Sequence, residues 1–393
     1  MANSLTNLNA EWWQSTIQFF LNNMLVAREI CNTREEALLV SGQQVNFPYV
    51  NDLTVSDYAQ GTDVTPTTLT ASNSLLTVNQ SKVVSFIVDP VQETQATSKY
   101  VTVMAQQAAF RLANEIDKQV LNDCATLAAN TGSLGSVSTS TIFNAFTSAY
   151  AALFYANATD RELWAVVDAT RLSNLTQNFI ANGFQQADKK LEDGFSPYAG
   201  KANNFRVYVS NNIPSSVTLT IAANATAGDT FTLAGATWTF RANGTATNPG
   251  DISLGTGGSA LADTQANVKA AINGTGTPGA STYIDIASAS RVVYTNNNIA
   301  ASTFTANVST ITGVGPLNPS ETFTSGSNVF GTPSTYMLFG SMGAPSLAVQ
   351  MLPSLYIRPL PYQLANNYMT HTLFGHTVFS RDTNRLVAYS INQ

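Results

Sequence analysis

The sequence predicts an α+β fold interrupted by a mainly-β insertion, and three observations carry that prediction. Residues 97–130 hold one unbroken helical repeat of apolar residues, with no Pro or Gly before Gly132. The segments on either side contain short stretches in which apolar and polar residues alternate with the period of two that marks strands. Between about Ser216 and Gly331 the composition changes: Gly, Thr, Ala and Asn dominate, and Cys, His and Met are absent.

Composition narrows the class. The chain has 393 residues, enough for roughly two to three domains. Apolar residues make up 44%, which is ample for a buried core. Charged residues reach 11%, against about 25% in an ordinary soluble domain. Asn, Thr, Ser and Gln take their place. The centres of protein interfaces are depleted of charge in the same way, so the surface reads as one that meets other protein surfaces. A net charge of −6 argues against sequence-independent binding to nucleic acid, which needs clustered cations. Cys31 and Cys124 are too few for a disulfide framework and read as two free thiols. No secretory signal and no membrane span is expected, because no apolar run approaches ~18 residues.

Taken in order, residues 9–30 read as a helix. Asn9 can cap it, and Trp13, Ile17, Phe20, Leu21, Met24 and Leu25 recur at spacings of three and four, with Trp12 adjoining. Ordering such a segment costs ~1–2 kcal/mol per residue. It must therefore pack on its own domain or on a neighbouring subunit, and both remain open. Residues 43–96 read as a long two-stranded arm. Leu76, Val78, Val83, Phe86 and Val88 are strand formers, and Asn79–Ser81 is the expected hairpin turn. The polar stretch 59–73 has too little apolar material for a core of its own. An isolated two-stranded arm is marginal in water, so it too needs a neighbour. The subunit-interface candidates are Trp12, Trp13, Ile17, Phe20, Met24, Tyr58, Lys82 and Phe86.

Val101, Ala105, Ala108, Leu112, Ile116, Val120, Cys124 and Leu127 form the stripe of the long helix, capped by Thr97 or Ser98. A second helix is expected over 140–156, a strand at Leu163–Val167, a helix over 170–182 and a strand at Phe205–Val209. The turn at 211–214 then opens the insertion. Its stretches VTLTI, DTFTLAGATWTF and TYIDIA alternate as strands, and a short helix fits 263–272, capped by Ala262 and Asp263. Phe231, Trp238, Phe240, Ile272 and Ile284 are its expected core. In the tail, 345–351 reads as a short helix, followed by two alternating strands, THTLFGHTVF with His371 and His376, and NRLVAYSIN, separated by the turn 381–384.

Catalytic machinery is not legible. His371 and His376 lie five apart in a strand and so face opposite sides. The match to G-x-G-x-x-G at 274–279 follows a helix and contains Pro278, whereas a dinucleotide loop follows a strand and opens a helix. Glu115 and Asp117 are two apart on the long helix and do not face one another; they read as solvated or interface carboxylates. The expectation is a protein that is not an enzyme and carries no cofactor and no metal.

The stretches LTVNQSKVVSFIVDPVQETQATSKYVTVMAQQAAFRLANEIDKQVL (76–121), LWAVVDATRLSNL (163–175) and FRVYVSNNIP (205–214) resemble, in that order, segments of tailed-phage major capsid proteins. The resemblance implies the Hong Kong 97-type capsid fold. Residues 1–42 would be its N-terminal arm and 43–96 its extended loop. Residues 97–215 and 331–393 would form its peripheral and axial domains, with 216–330 as an inserted β-rich domain. It also implies a structural role in a homo-oligomeric shell of hexamers and pentamers within a virion, assembled in the host cytoplasm. Separate scaffolding, portal and cement proteins would be its partners, and contact with packaged DNA would be weak and non-specific, with no membrane involved. Another repetitive virion component, such as a tail tube or sheath protein, is the alternative. Some members of the family join an extended-loop Lys to an Asn of a neighbour; Lys82 is the one Lys in 43–96, and non-covalent shells are expected here.

Overall fold

The computed structural model describes residues 25–393 apart from 35, 37–41, 51–54, 56, 62, 64–65, 67, 70, 90–98, 182–197, 361–364 and 393. Of the helix expected over 9–30, the described part is α1 (Val26–Ile30). Trp12, Trp13, Ile17, Phe20 and Met24 lie outside the described residues, as do the caps Thr97 and Ser98.

After α1 come β1 (Gln44–Val50), β2 (Ala71–Thr77) and β3 (Gln80–Val88). β1 and β2 form an antiparallel ribbon, with Gln44 opposite Thr77 and Val50 opposite Ala71. The expected hairpin turn at Asn79–Ser81 is a crossing instead. β3 leaves the ribbon and pairs with strand Asn366–Val378 in a different sheet. The reason is a small core: Leu76 and Val78 are both buried with Ala348 and Phe379, so the chain passes over that cluster rather than folding back. Gly375 makes room for the crossing, since a Cβ there would sit 2.4 Å from the Thr77 carbonyl oxygen.

The long helix α2 (Lys99–Thr126) has 28 residues, about 42 Å at 1.5 Å per residue. Leu112, Ile116, Val120 and Cys124 of its stripe are buried, while Leu127 lies beyond its end and is exposed. Next come β4 (Asn130–Ser136), α3 (Ile142–Tyr155), β5 (Leu163–Val167), α4 (Ala169–Ala181), β6 (Tyr198–Ala202) and β7 (Phe205–Val209). β4, rich in Gly and Ser, has no alternation to announce it; it runs parallel to a C-terminal strand that supplies its ladder.

The inserted stretch contributes β8 (Pro214–Ile221), β9 (Thr230–Leu233), β10 (Ala236–Arg241), β11 (Asp251–Ser253), α5 (Ala260–Asn273), α6 (Ser288–Asn296), β12 (Ala300–Ala301), β13 (Val308–Val314), β14 (Ser320–Glu321) and β15 (Asn328–Phe330). The chain then returns as β16 (Ser334–Ser341), β17 (Pro345–Pro359), β18 (Asn366–Val378) and β19 (Leu386–Asn392). The expected helix at 345–351 is thus part of a 15-residue strand. Leu347 faces the main core and Ala348 the small core under the hairpin, an alternation that a helix cannot satisfy.

β16 is the hub of the body. β19 lies along one edge, while β5 and β8 share the other end to end. The body sheet is covered on both faces, which is why LWAVV is buried at every position. Trp164 and Val166 face α2 and α1, and Leu163, Ala165 and Val167 face α3 and α4.

The insertion has its own apolar core. Every fully buried member lies between Val217 and Leu317. Phe231, Trp238, Phe240 and Ile272 are fully buried in it. Ile284 is half-buried, and Tyr283 and Ile286 take the core places instead. TYIDIA is not a strand but an irregular segment with one bridge, Tyr283 to Ile252; the bend changes the phase of its alternation. Asp263 does not cap α5, which begins three residues earlier with Ser259 at its N-cap. The Arg291 guanidinium closes the other end of α5, donating to the carbonyls of Ala271 and Ile272 at 2.7 and 2.9 Å. A cation is favourable at that end of a helix. The insertion is also stitched to the body. Ser215 and Ser216 of β8 pair with Thr335 and Ser334 of β16, and β8 pairs onward with β15. The two chain crossings are therefore one ribbon.

Separate cores predict separate responses. Phe231→Ala is expected to cost ~3–5 kcal/mol and to remove hydrogen-exchange protection within 217–330 while leaving 163–167 protected. Equal loss in both regions would show a single cooperative core.

Candidate assembly surface

Asp117 corrects the expectation of a solvated or interface carboxylate on the long helix. It is 2% exposed. Helical spacing puts it beside Ala113, Ile116, Val120 and Leu121, on the face that packs into the body. Its carboxylate accepts the N–H of Ala27 at 2.9 Å and that of Val26 at 3.3 Å, and the Asn212 side chain bonds to it as well. Asn212 in turn donates to Asn114 Oδ1 at 3.0 Å. Burial pushes the Asp117 carboxyl up to about 7, against the hydrogen bonds that favour its charge. An acidic residue inside an apolar stripe is the sequence signal that marks this site.

Glu115 turns the other way. Its Oε1 meets the Lys82 ammonium at 3.0 Å, and its Oε2 lies 3.8 Å from that of Lys118. Burial raises this carboxyl, but Lys82, Gln119 and Lys118 outweigh it and hold it below its ordinary value. Burial pushes the Lys118 ammonium below its ordinary value, against the attraction of Glu115. Lys82, an interface candidate, is thus tied to its own spine helix. Phe86, another, stacks on Tyr368 with ring centroids 5.5 Å apart. Tyr58 stands on the outer part of the hairpin and is 71% exposed.

The hairpin and its exit strand carry an excess of uncovered apolar surface. Val50, Val55, Tyr58, Leu69, Leu75, Val83 and Ile87 are seven of the 16 large exposed hydrophobic residues among those described. They fall within 38 consecutive positions of a 393-residue chain. The ribbon has two strands and is held at its root by Val45, Phe47, Leu76 and Phe379.

The two histidines face opposite sides of β18 and enter different contacts. His371 Nε2 is 2.9 Å from Ser81 Oγ, and His376 Nδ1 is 2.6 Å from Asp123 Oδ2 on the spine helix. Among the described residues, no three His, Cys, Asp or Glu side chains converge on a metal-sized site, and no helix is long and apolar enough to cross a membrane. The insertion uses its few charges internally. Arg241 pairs with Asp251, Arg291 with Asp285, and the buried Asp229 accepts the N–H groups of Thr226 and Thr324.

No protein-family model matches the chain, and neither does any curated protein. Solved structures do. A chain from Mycobacterium phage Che8 aligns over 93% of this chain and 90% of its own, with a TM-score of 0.53 at 14% identity. A chain of the capsid structure of the Cyanophage P-SCSP1u aligns over 90% and 84%, with a TM-score of 0.47 at 12% identity. The virus-like particle from Pyrococcus furiosus aligns over 97% and 99%, with a TM-score of 0.44 at 10% identity. The fold shared with the Che8 chain is the α+β, Hong Kong 97-type fold expected from the sequence.

Glu115 serves two ammonium groups, one of them buried. Glu115→Gln is therefore expected to destabilise the chain by ~1–3 kcal/mol through the uncompensated Lys118. Lys82→Ala should cost under about 1 kcal/mol, as half-exposed pairs do. Urea midpoints check the order, and a larger loss in Lys82→Ala would reverse the assignment.

Proposed function

We propose that the chain is the major capsid protein of a tailed phage, a structural subunit that assembles into the icosahedral head shell around the genome. The observation that carries this reading is the extended hairpin, rich in exposed apolar residues, on a fold shared with a phage chain. A two-stranded ribbon is marginal alone, and apolar patches beyond a few hundred Å² mark interaction sites. A closed shell covers such ribbons by repetition.

The subunit acts by geometry and not as an enzyme. The body packs with its copies into hexamers and pentamers, and the hairpin reaches a neighbour. The shell is held without covalent cross-links, because Lys82 is engaged by Glu115 of its own chain. The insertion sits on the outer face. It carries three basic residues, Arg241, Lys269 and Arg291, against five acidic ones, so it has no electrostatic attraction to packaged phosphate. Scaffolding, portal and cement proteins are separate chains, contact with the genome is weak, and assembly takes place in the host cytoplasm before the subunit becomes part of the virion.

Electron microscopy of the purified chain, with a phage scaffold where needed, is expected to show closed shells that survive a chelator. Tubes would identify a tail component, and a stable monomer under all conditions would overturn the proposal. Replacing 51–70 by a short turn should abolish shells while leaving the monomer's melting unchanged. Denaturing gels of mature particles should show one band near 41.8 kDa; a ladder would reveal cross-linking.

A further inference from the structure

One end of the body sheet gathers charge on a chain that carries little of it. The last residues of β16 and the first of β5, β7 and β19 stand side by side there. Just outside them, four of the chain's 18 basic and three of its 24 acidic residues form a rim. Arg385 forks onto Asp160 at 2.7 and 3.2 Å and lies 3.5 Å from Asp382, whose other oxygen meets Arg381 at 3.3 Å. Arg206 meets Glu162 at 2.6 Å, while Arg161 is held loosely, 3.9 Å from Asp160. At the opposite end of β5 the pair Arg171–Asp168 is closed at 2.8 Å and turned inward. Here the side chains of Arg161 and Glu162 stay 52% and 55% exposed. The turn 156–162 leads from α3 into this rim. The last two residues of α3, Phe154 and Tyr155, are 59% and 85% exposed, with Phe154 stacked on Tyr150. Exposed ion pairs contribute little to the chain that holds them, so folding alone does not call for such a collection. Aromatic and Arg side chains are the types that carry protein interfaces.

We propose that this end of the body pairs with the same end of a second copy about a two-fold axis, with Phe154 and Tyr155 packed together and Arg161 of each chain reaching the partner's Glu162. The rim's charges alternate in sign and nearly cancel, which leaves no net field to draw a polyanion or any strongly charged partner. A surface of alternating sign is instead complementary to itself. In a contact about a two-fold axis, residue i of one copy meets j of the other while j meets i. Arg161 and Glu162 are adjacent, opposite in charge and half-exposed, so one such axis satisfies both at once. The aromatic pair supplies the apolar centre, and the ion pairs of the rim surround it. The pairing takes its partner from the assembly reading, but it joins body to body, apart from the hairpin, and can be measured without shells.

The test is self-association of the full-length chain, followed by sedimentation velocity below the concentration at which particles form. Dimers are expected in the wild type. Phe154→Ser combined with Tyr155→Ser should raise their dissociation constant at least about tenfold, as loss of an aromatic anchor does. Arg161→Glu, which sets a carboxylate against the partner's Glu162, should weaken them in the same direction. Both variants should melt with the wild type, because the altered side chains are exposed; should the double variant melt early, Tyr155→Ser takes its place. A wild type that stays monomeric, or dimers that form equally well in the variants, overturns the pairing. Dimers from a chain that gives tubes or no particles overturn the shell reading and leave the pairing standing. Closed shells from a chain that forms no dimers do the reverse.

Discussion

Burial of the body sheet on both faces is the constraint on which the rest of the structure depends. β16 lies at its centre, with Leu338 turned to the spine-helix side and Met337 and Phe339 to the side of α3 and α4. Trp164 lies across its end. A Cβ at Gly340 would sit 2.6 Å from the indole, so this position must be glycine for the ring to lie flat on the strand. The Trp164 Nε1–H is satisfied by the Ser341 carbonyl at 3.0 Å, as a buried indole requires. With both faces covered, the sheet grows only along its edges. The insertion takes that route, extending the β8 edge of β16 rather than stacking on a face.

Elements whose burial follows a single period were legible in the sequence. The spine helix buries one stripe, and the five apolar residues of β5 can be nothing but a fully covered strand. The errors fall where one segment serves two cores. Leu347 and Met351 have helical spacing, yet the strand sends Leu347 and Ala348 to different clusters. Leu76 and Val78 seemed to lead into a hairpin because the small core beneath them is built from residues nearly 300 positions away. Asp117 was misread because a carboxylate was assigned to water by its type. Its partners are backbone N–H groups, which a sequence does not display. β4 and α6 were missed because they carry too little apolar pattern to announce themselves.

The shortage of charge has a structural counterpart. In the insertion, Arg–Asp pairs and backbone N–H groups consume most of the ionised side chains. The surface that remains is hydroxyls, amides and methyl groups. Such a surface repels its copies only weakly, because its few net charges are screened beyond a Debye length of about 8 Å in physiological salt. Sparsely charged surfaces let identical modules crowd together, where modules of high like charge would resist it.

The hairpin shows the opposite economy. Its root is fixed by four apolar residues and by the crossing at Gly375, while its outer part exposes valines, leucines and a tyrosine. In a monomer this arrangement is a net liability. Each ordered residue costs ~1–2 kcal/mol in backbone entropy, and exposed apolar area recovers none of it. The same residues become favourable once a neighbour covers them, at ~25 cal/mol per Å² removed from water. The ribbon therefore makes the stability of one part of the fold conditional on association. The body, whose three-layer packing already buries both sheet faces, does not need a neighbour to fold. A chain divided this way can fold first and assemble second, with the ribbon supplying the drive for the second step.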